Sequence, residues 1–319
     1  SQGNSEHALV ARIRDWSQSR EIGDDCAVLP AQLLVSTDTL VESVHFKLEA
    51  TSLFDLGTKA IAVNLSDIAA MAGRPRHALV SVTWPDYLPV SDLEELYKGM
   101  LDCLRTYRSR LVGGDFSKGP CLSITVTVLG TTHEDGCLRR SGANPGDVVV
   151  VTGDFGASRG GLELILRPEQ FTNDSPYCRR RHLTPVPRLC EAWALVRKTA
   201  GSGAMMDASD GLADALFQIA RDSQVGMRVE LEKVPLHNET EDLARHVDQD
   251  PLDWALYGGE DYELVACLSK EIWREWSLAD SDCPFVEIGE TFAGSGVELY
   301  LAGRDYGMLD LKRTFQHFS

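Results

Sequence analysis

The chain has 319 residues, 43% of them hydrophobic and 25% charged, a composition typical of globular proteins that contains no apolar run long enough to cross a bilayer. Its 31 basic and 48 acidic residues give a formal net charge of −17, which excludes broad attraction to nucleic acid or an anionic membrane, so any phosphate-bearing ligand must be met by local cations or divalent metals. The length predicts two domains of roughly 150 residues each, and the eight cysteines, with no Cys-x-x-Cys pair, suit a reducing, cytoplasmic setting rather than a zinc or thiol-redox site.

Ser1-Gln2-Gly3-Asn4 reads as a polar terminus, not a signal peptide. Leu9, Ile13 and Trp16 then share one helical stripe, predicting a short core helix with no chemistry assigned. Gly23-Asp24-Asp25 sets two acids in a turn ahead of a short apolar strand. Residues 33–40 form a strand that turns polar, with Ser36 and Asp38 on one face and Thr37 on the other. His45 follows and carries little weight by itself.

Ser52 and Asp55 make a capping box and Gly73 a stop, predicting a helix over 53–72. Its second half is apolar on nearly every face, so it is buried. Asp67 inside it must then be compensated by a cation such as Lys59 or Arg74, by a metal, or by several donors. Strands are expected over 77–84 and 122–130, with an amphipathic helix from Ser91 between them. Their edges would be exposed in a monomer, which predicts a homodimer made through this half. A short strand over 110–112 delivers Gly113-Gly114-Asp115, where paired glycines let a backbone approach a ligand closely.

The turn-rich run 140–147 divides residues 1–143 from 144–319. A strand over 148–152 leads into a glycine loop whose spacing departs from G-x-G-x-x-G, and no P-loop motif occurs. Residues 168–188, with Arg179-Arg180-Arg181-His182, are expected as a connector or flap, the basic run forming a solvated face or, less often, an anion-docking one. Asp207, Ser209 and Asp210 occupy a strand-to-helix junction. Gly258-Gly259-Glu260-Asp261 precedes a strand over 263–268, further strands follow over 285–289 and 297–301, and Phe315 belongs to an aromatic tail that packs as a plug or stacks on a ligand ring.

Asp24, Asp25, Asp38, Asp67, Asp115, Asp207, Asp210 and Glu260 thus stand at turns, strand ends and one buried helix. Hard oxygen ligands with no His/Cys cluster indicate magnesium rather than zinc. The runs Gly23-Asp-Asp-Cys-Ala27, Ser36-Thr-Asp-Thr-Leu-Val41 with His45-Phe46, Lys59-Ala-Ile-Ala-Val-Asn-Leu-Ser-Asp67, Gly113-Gly-Asp115, Arg140-Ser-Gly-Ala143, Asp207-Ala-Ser-Asp-Gly-Leu212 and Gly258-Gly-Glu-Asp-Tyr-Glu263 resemble the bacterial thiamine-monophosphate kinase family in order and spacing.

The resemblance implies an α/β (α+β) fold of the aminoimidazole ribonucleotide synthetase superfamily. Its N-terminal domain is β-rich, binds ATP and metal, and dimerises. Its C-terminal α/β domain completes the active site. The resemblance further implies a kinase that uses ATP as co-substrate to convert thiamine monophosphate to thiamine diphosphate by magnesium-assisted in-line transfer, with no nucleic-acid or membrane partner. Asp25, Ser36, Thr37, Asp38, Asp67, Asp115, Asp207 and Asp210 would ligate magnesium, with Asp38, Asp67, Asp115 and Asp210 catalytic. Tyr107, Gly114, Asp115, Arg140 and Ser209 would contact ATP, and His45, Glu260 and Phe315 the thiamine moiety. Ser43 stands where the family usually has glycine, Phe116 where it has a hydroxyl residue, and Ala208 where it has a larger aliphatic. The alternatives are a sister ATP-using enzyme of the superfamily, which would need a reactive terminal cysteine, or a non-catalytic metal-dependent binding module.

Overall fold

A computed structural model describes residues 6–310, apart from 20, 173 and 281, together with Arg313. The first half contains α1 (Glu6–Ser17), β1 (Ala27–Leu29), β2 (Leu33–Val41), α2 (Leu53–Ala70), β3 (Arg74–Trp84), α3 (Leu93–Thr106), β4 (Arg110–Lys118) and β5 (Ser123–Thr131). Its five strands form one sheet in the order β1-β2-β5-β3-β4, with only the β3–β4 pair parallel. Leu40, Val80, Val82, Ile124 and Val126 on one sheet face pack into a single core with Ile61 and Leu65 of α2 and Leu96 and Met100 of α3. The opposite face is polar along its middle, where Thr37 meets Thr127 at 3.0 Å and Thr39 meets Thr125 at 2.9 Å through their hydroxyls.

Ser52 caps α2 as expected, its Oγ accepting from the Asp55 N–H at 3.0 Å. The helix ends two residues early because Ala72 turns left-handed, with φ of 53°. Two glycines let α2 and α3 touch backbone to backbone: a Cβ on Gly57 would lie 2.0 Å from the Leu96 carbonyl oxygen, and one on Gly99 would lie 1.9 Å from that of Phe54. The other side of α2 meets the second half, so a helix apolar all round is buried all round.

Two expectations change here. Strands β3 and β5 are interior, not edges; the unpaired edges belong to β1 and β4. Moreover β4 does not stop at Val112 but runs through the glycine pair to Lys118, because pairing with β3 supplies the ladder that local propensity does not.

The second half contains β6 (Val148–Thr152), α4 (Ala157–Leu166), α5 (Pro176–Leu183), α6 (Leu189–Thr199), β7 (Ala204–Asp207), α7 (Leu212–Ser223), β8 (Gly226–Glu230), α8 (Asn238–His246), α9 (Pro251–Tyr257), β9 (Leu264–Leu268), α10 (Lys270–Ala279), β10 (Phe285–Phe292), β11 (Val297–Leu301) and β12 (Arg304–Met308). Seven strands order as β12-β11-β8-β10-β6-β9-β7. Helix α7 packs on one face with Val149, Val151 and Val265, and α6 and α10 pack on the other with Val148, Val150 and Ala266. Strands β6 and β9 are therefore buried at every position, and apolar at all but Thr152. The basic segment is helical in α5, and Arg181 and His182 are buried within it, not solvated. The fully buried Glu263 carboxylate, which takes Arg181 at 2.5 Å and Arg188 at 2.5 Å, is the physical reason for Arg181, and contacts with Ser158 and Glu260 are the reason for His182. Among the described residues no helix is long and apolar enough to cross a membrane.

Candidate active site

Three carboxylates converge where the halves meet. Asp25 comes from the turn before β1, Asp67 from α2 and Asp207 from the end of β7, and each has an oxygen within 4.8 Å of the others. The two cations that could have neutralised Asp67 are engaged elsewhere, Lys59 with Glu260 at 3.1 Å and Arg74 with Glu134 at 2.8 Å. Asp67 instead accepts from the Ser36 hydroxyl. Asp207 accepts from Ser66 at 2.5 Å and Ser209 at 3.3 Å. Asp25 pairs with Arg140 at 2.7 Å, and Arg140 is steadied by Gln218 at 2.7 Å.

Such crowding is electrostatically costly. Burial, then the charges of Asp38, Asp207 and Asp25, holds the Asp67 carboxyl well above the usual carboxylate range. Burial and Asp25 push Asp207 up to about 7, and burial also raises Asp25 against the pull of Arg140. The second oxygen of Asp25 is buried without a hydrogen-bond partner. A hard divalent cation fits this donor set, since it would cancel the mutual repulsion and satisfy the stranded oxygen.

Two clefts meet at this cluster. The larger, about 1150 Å³, is lined by Asp24, Thr37 and Thr127, with Arg14 of α1 at its rim. The smaller, about 610 Å³, is lined by Asp38, His45, Asp67, His182 and Glu260 together with Leu40, Val44 and Tyr257. Asp25, Ser36, Arg140, Ser209 and Asp210 line both.

Glu260 projects from a strained loop. Gly259, Glu260 and Tyr262 have φ of 70°, 57° and 52°, a conformation costing roughly 1–2 kcal/mol per non-glycine residue. Glu260 N–H donates to the Ser209 carbonyl at 2.6 Å, which ties the loop to the Asp207–Asp210 junction. Burial disfavours the Glu260 charge, but Lys59 and His182 outweigh it and hold the carboxyl below its usual range. His182 is driven to about 3 by burial and then by Lys59, so its ring is neutral. His45 is oriented by the Val41 N–H, which donates to its Nδ1 at 2.9 Å.

Not every residue singled out in the sequence joins the clefts. Tyr107, at the end of α3, packs against the N-terminal core beside Arg188 and Glu191 and lines neither cleft of a single chain. Gly114 and Asp115 also lie outside both, on β4. The register aligns Thr39, Thr125, Ser81 and Asp115 in one row, so Asp115 stands three strand spacings, roughly 14 Å, from β2. Phe315 lies outside the described residues. The sequence reading missed Ser66, His182 and Gln218 as contributors, offered Lys59 as a counter-ion for Asp67 and not for Glu260, and gave no weight to Arg14. His182 had no signal of its own, because a basic run reads first as a solvated face.

The model for the AIR synthase related protein, N-terminal domain, matches residues 23–132, and that for the C-terminal domain matches residues 144–302. The thiamine-monophosphate kinase of Bacillus subtilis (strain 168) is 36% identical over 98% of both chains, and that of Escherichia coli (strain K12) is 41% identical over 98% of both. Among solved structures, AaThiL complexed with AMPPCP and TMP superposes with a TM-score of 0.87 at 34% identity, covering 98% of this chain and 97% of that one. Hydrogenase maturation protein HypE in complex with ATP, at 22% identity and a TM-score of 0.71, shares the fold.

Proposed function

The chain belongs to the thiamine-monophosphate kinase family within the AIR synthase related proteins, and from that premise we propose how its two clefts divide the ATP-dependent phosphorylation of thiamine monophosphate to thiamine diphosphate. ATP occupies the larger cleft and thiamine monophosphate the smaller, with the γ-phosphoryl group and the acceptor phosphate meeting at the shared residues. The observation that carries this reading is that Asp25, Ser36, Arg140, Ser209 and Asp210 line both clefts.

The acceptor phosphate, with a second pKa of about 6, is largely ionised at neutral pH and can attack without a general base. The obstacle is repulsion between two anions, and this reading has the site lower it. Asp25, Asp67 and Asp207 would hold magnesium, with Ser36, Thr37, Asp38, Asp115 and Asp210 as further oxygen ligands. Bound there, magnesium supplies charge cancellation between the phosphates and helps align donor and acceptor. Arg140, held by Asp25 and Gln218, adds a fixed positive charge at the junction. Ser209 contacts the nucleotide. His45 and Glu260 face the acceptor's rings, and the ionised Glu260 complements the cationic thiazolium.

A homodimer paired through the N-terminal sheet is part of this reading. It is supported by the exposed β4 edge and the polar threonine face, both built within residues 1–143. Tyr107, Gly114 and Asp115, outside both clefts of one chain, then act on the nucleotide and metal of a second copy. Residues 144–319 complete each site. We read the enzyme as cytoplasmic on its use of ATP and on its eight cysteines, none of them in a disulfide.

The test is ADP release with both substrates varied. Release should require thiamine monophosphate and magnesium together. Glu260→Gln should raise KM for thiamine monophosphate alone, and Arg140→Gln should damage turnover with both substrates saturating. ADP release independent of the acceptor would overturn the reading.

A further inference from the structure

Two helices distant in sequence converge on one oxygen of Glu260. Lys59 Nζ on α2 approaches Oε2 at 3.1 Å, and His182 Nδ1 on α5 approaches the same atom at 3.2 Å. His182 Nδ1 also lies 3.0 Å from the Ser158 hydroxyl in the first turn of α4. That turn is fixed in its own right, because the Asp261 carboxylate accepts from the N–H groups of Gly156 at 2.8 Å and Ser158 at 3.1 Å. The residue before His182 anchors the same loop, Arg181 donating to the Asp261 carbonyl at 3.2 Å. Adjacent side chains of α5 thus grip both ends of the segment from Glu260 to Glu263, in which two residues are left-handed.

Two protonation patterns fit the contacts. An ionised carboxylate only accepts, so a hydrogen on Nδ1 would face Oε2 at 3.2 Å, whereas an Nδ1 without one would accept from the Ser158 hydroxyl at 3.0 Å. The buried ring is neutral, so in the first case Nε2 is bare.

We propose that His182 is a positioning residue for acceptor recognition: its Nδ1–H, with the Lys59 ammonium, fixes Oε2 of Glu260 so that Oε1 is presented to the smaller cleft. This rests on the reading of that cleft as the thiamine monophosphate site. The geometry makes a distinction that packing alone would not. An asparagine at 182 can return a donor near the Nδ1 position, whereas a glutamine sends its amide past it.

The experiment is steady-state kinetics of His182→Ala, His182→Gln and His182→Asn, varying each substrate in turn. The alanine and glutamine variants should raise KM for thiamine monophosphate by roughly tenfold or more, the order of one hydrogen bond to a charged group. KM for ATP should not move, and asparagine should recover most of the loss. Equal defects in asparagine and glutamine, or parallel shifts in both KM values, would overturn the proposal. Should the alanine variant fail to melt cooperatively, Ser158→Ala, which frees the ring without emptying its space, must still show a smaller rise confined to thiamine monophosphate; its absence overturns the proposal equally. Wild-type protein without acceptor-dependent ADP release would instead remove the kinase reading, before any variant is compared.

Discussion

Lys59 on α2 and Glu260 on the loop before β9 form a salt bridge of 3.1 Å in which the lysine is 2% exposed. The pair joins the two halves, so the smaller cleft takes its final shape only when they are docked. Lys59→Met leaves the Glu260 carboxylate without its main counter-charge in a recessed site, a loss expected to cost about 3 kcal/mol. The double variant Lys59→Met/Glu260→Gln should regain most of that stability without regaining activity. Urea melts of both single variants and the double variant measure the coupling.

At Asp67 removal of charge should separate stability from catalysis. The carboxylate sits among Asp25, Asp38 and Asp207 with no cation of its own, so Asp67→Asn should leave the metal-free protein as stable as wild type or more so. Activity should fall by at least about a hundredfold, the order of losing one main electrostatic contact in the transition state. Thermal melts without metal, paired with ADP-release rates across a magnesium titration, check both halves of this expectation. A destabilised yet active variant would return Asp67 to an ordinary core role.

Acid should loosen the protein through His182. Burial and Lys59 lower its pKa from an ordinary 6.5 to about 3. The neutral ring therefore contributes stability that is fully present above pH 6.5 and lost as pH falls toward 3, because the unfolded chain binds the proton first. Between pH 6.5 and pH 4 the loss amounts to about 3 kcal/mol. Lys59 and Glu260 face the ring, and the Glu260 carboxyl is held below its usual range. Melts from pH 4 to pH 7 should show a shallower acid slope for His182→Asn than for wild type, and identical slopes would contradict the assignment.

A complementation experiment tests whether Asp115 works across a dimer. Asp67→Asn and Asp115→Asn should each be inactive alone. If Asp115 serves the other copy, co-refolding equal amounts yields mixed dimers with one site that has both aspartates. Recovered activity should approach about a quarter of wild type, since half of randomly paired dimers are mixed and each has one complete site of two. No recovery would assign Asp115 to its own chain or to no site.

Much of the site was legible because its acids break local rules: a carboxylate inside an apolar helix at Asp67, acids directly after glycines at Asp115 and Glu260, and the acid pair Asp24-Asp25 after Gly23. Propensity and burial conflict at those positions, and function resolves the conflict. The contributions of Lys59 and His182 were not legible. Each depends on closure among residues 59, 158, 182 and 260, which no local period encodes. The extension of β4 escaped for a related reason, since Gly113-Gly114 disfavours a strand and only the partner strand β3 reveals the ladder. Tyr107 and Asp115 are recognisable in sequence by motif, yet one folded chain puts them outside its own clefts.

The two clefts share five residues and differ in the rest of their lining, which has a kinetic consequence if each takes one substrate as proposed. Neither substrate would then need the other to build its site, and the residues common to both, such as Arg140 and Ser209, are where the two phosphates would meet. Either ligand can then arrive first, and either product can depart while its neighbour is still bound. Initial-rate patterns should be those of random addition, with ADP competing against ATP and thiamine diphosphate against thiamine monophosphate, each in its own cleft.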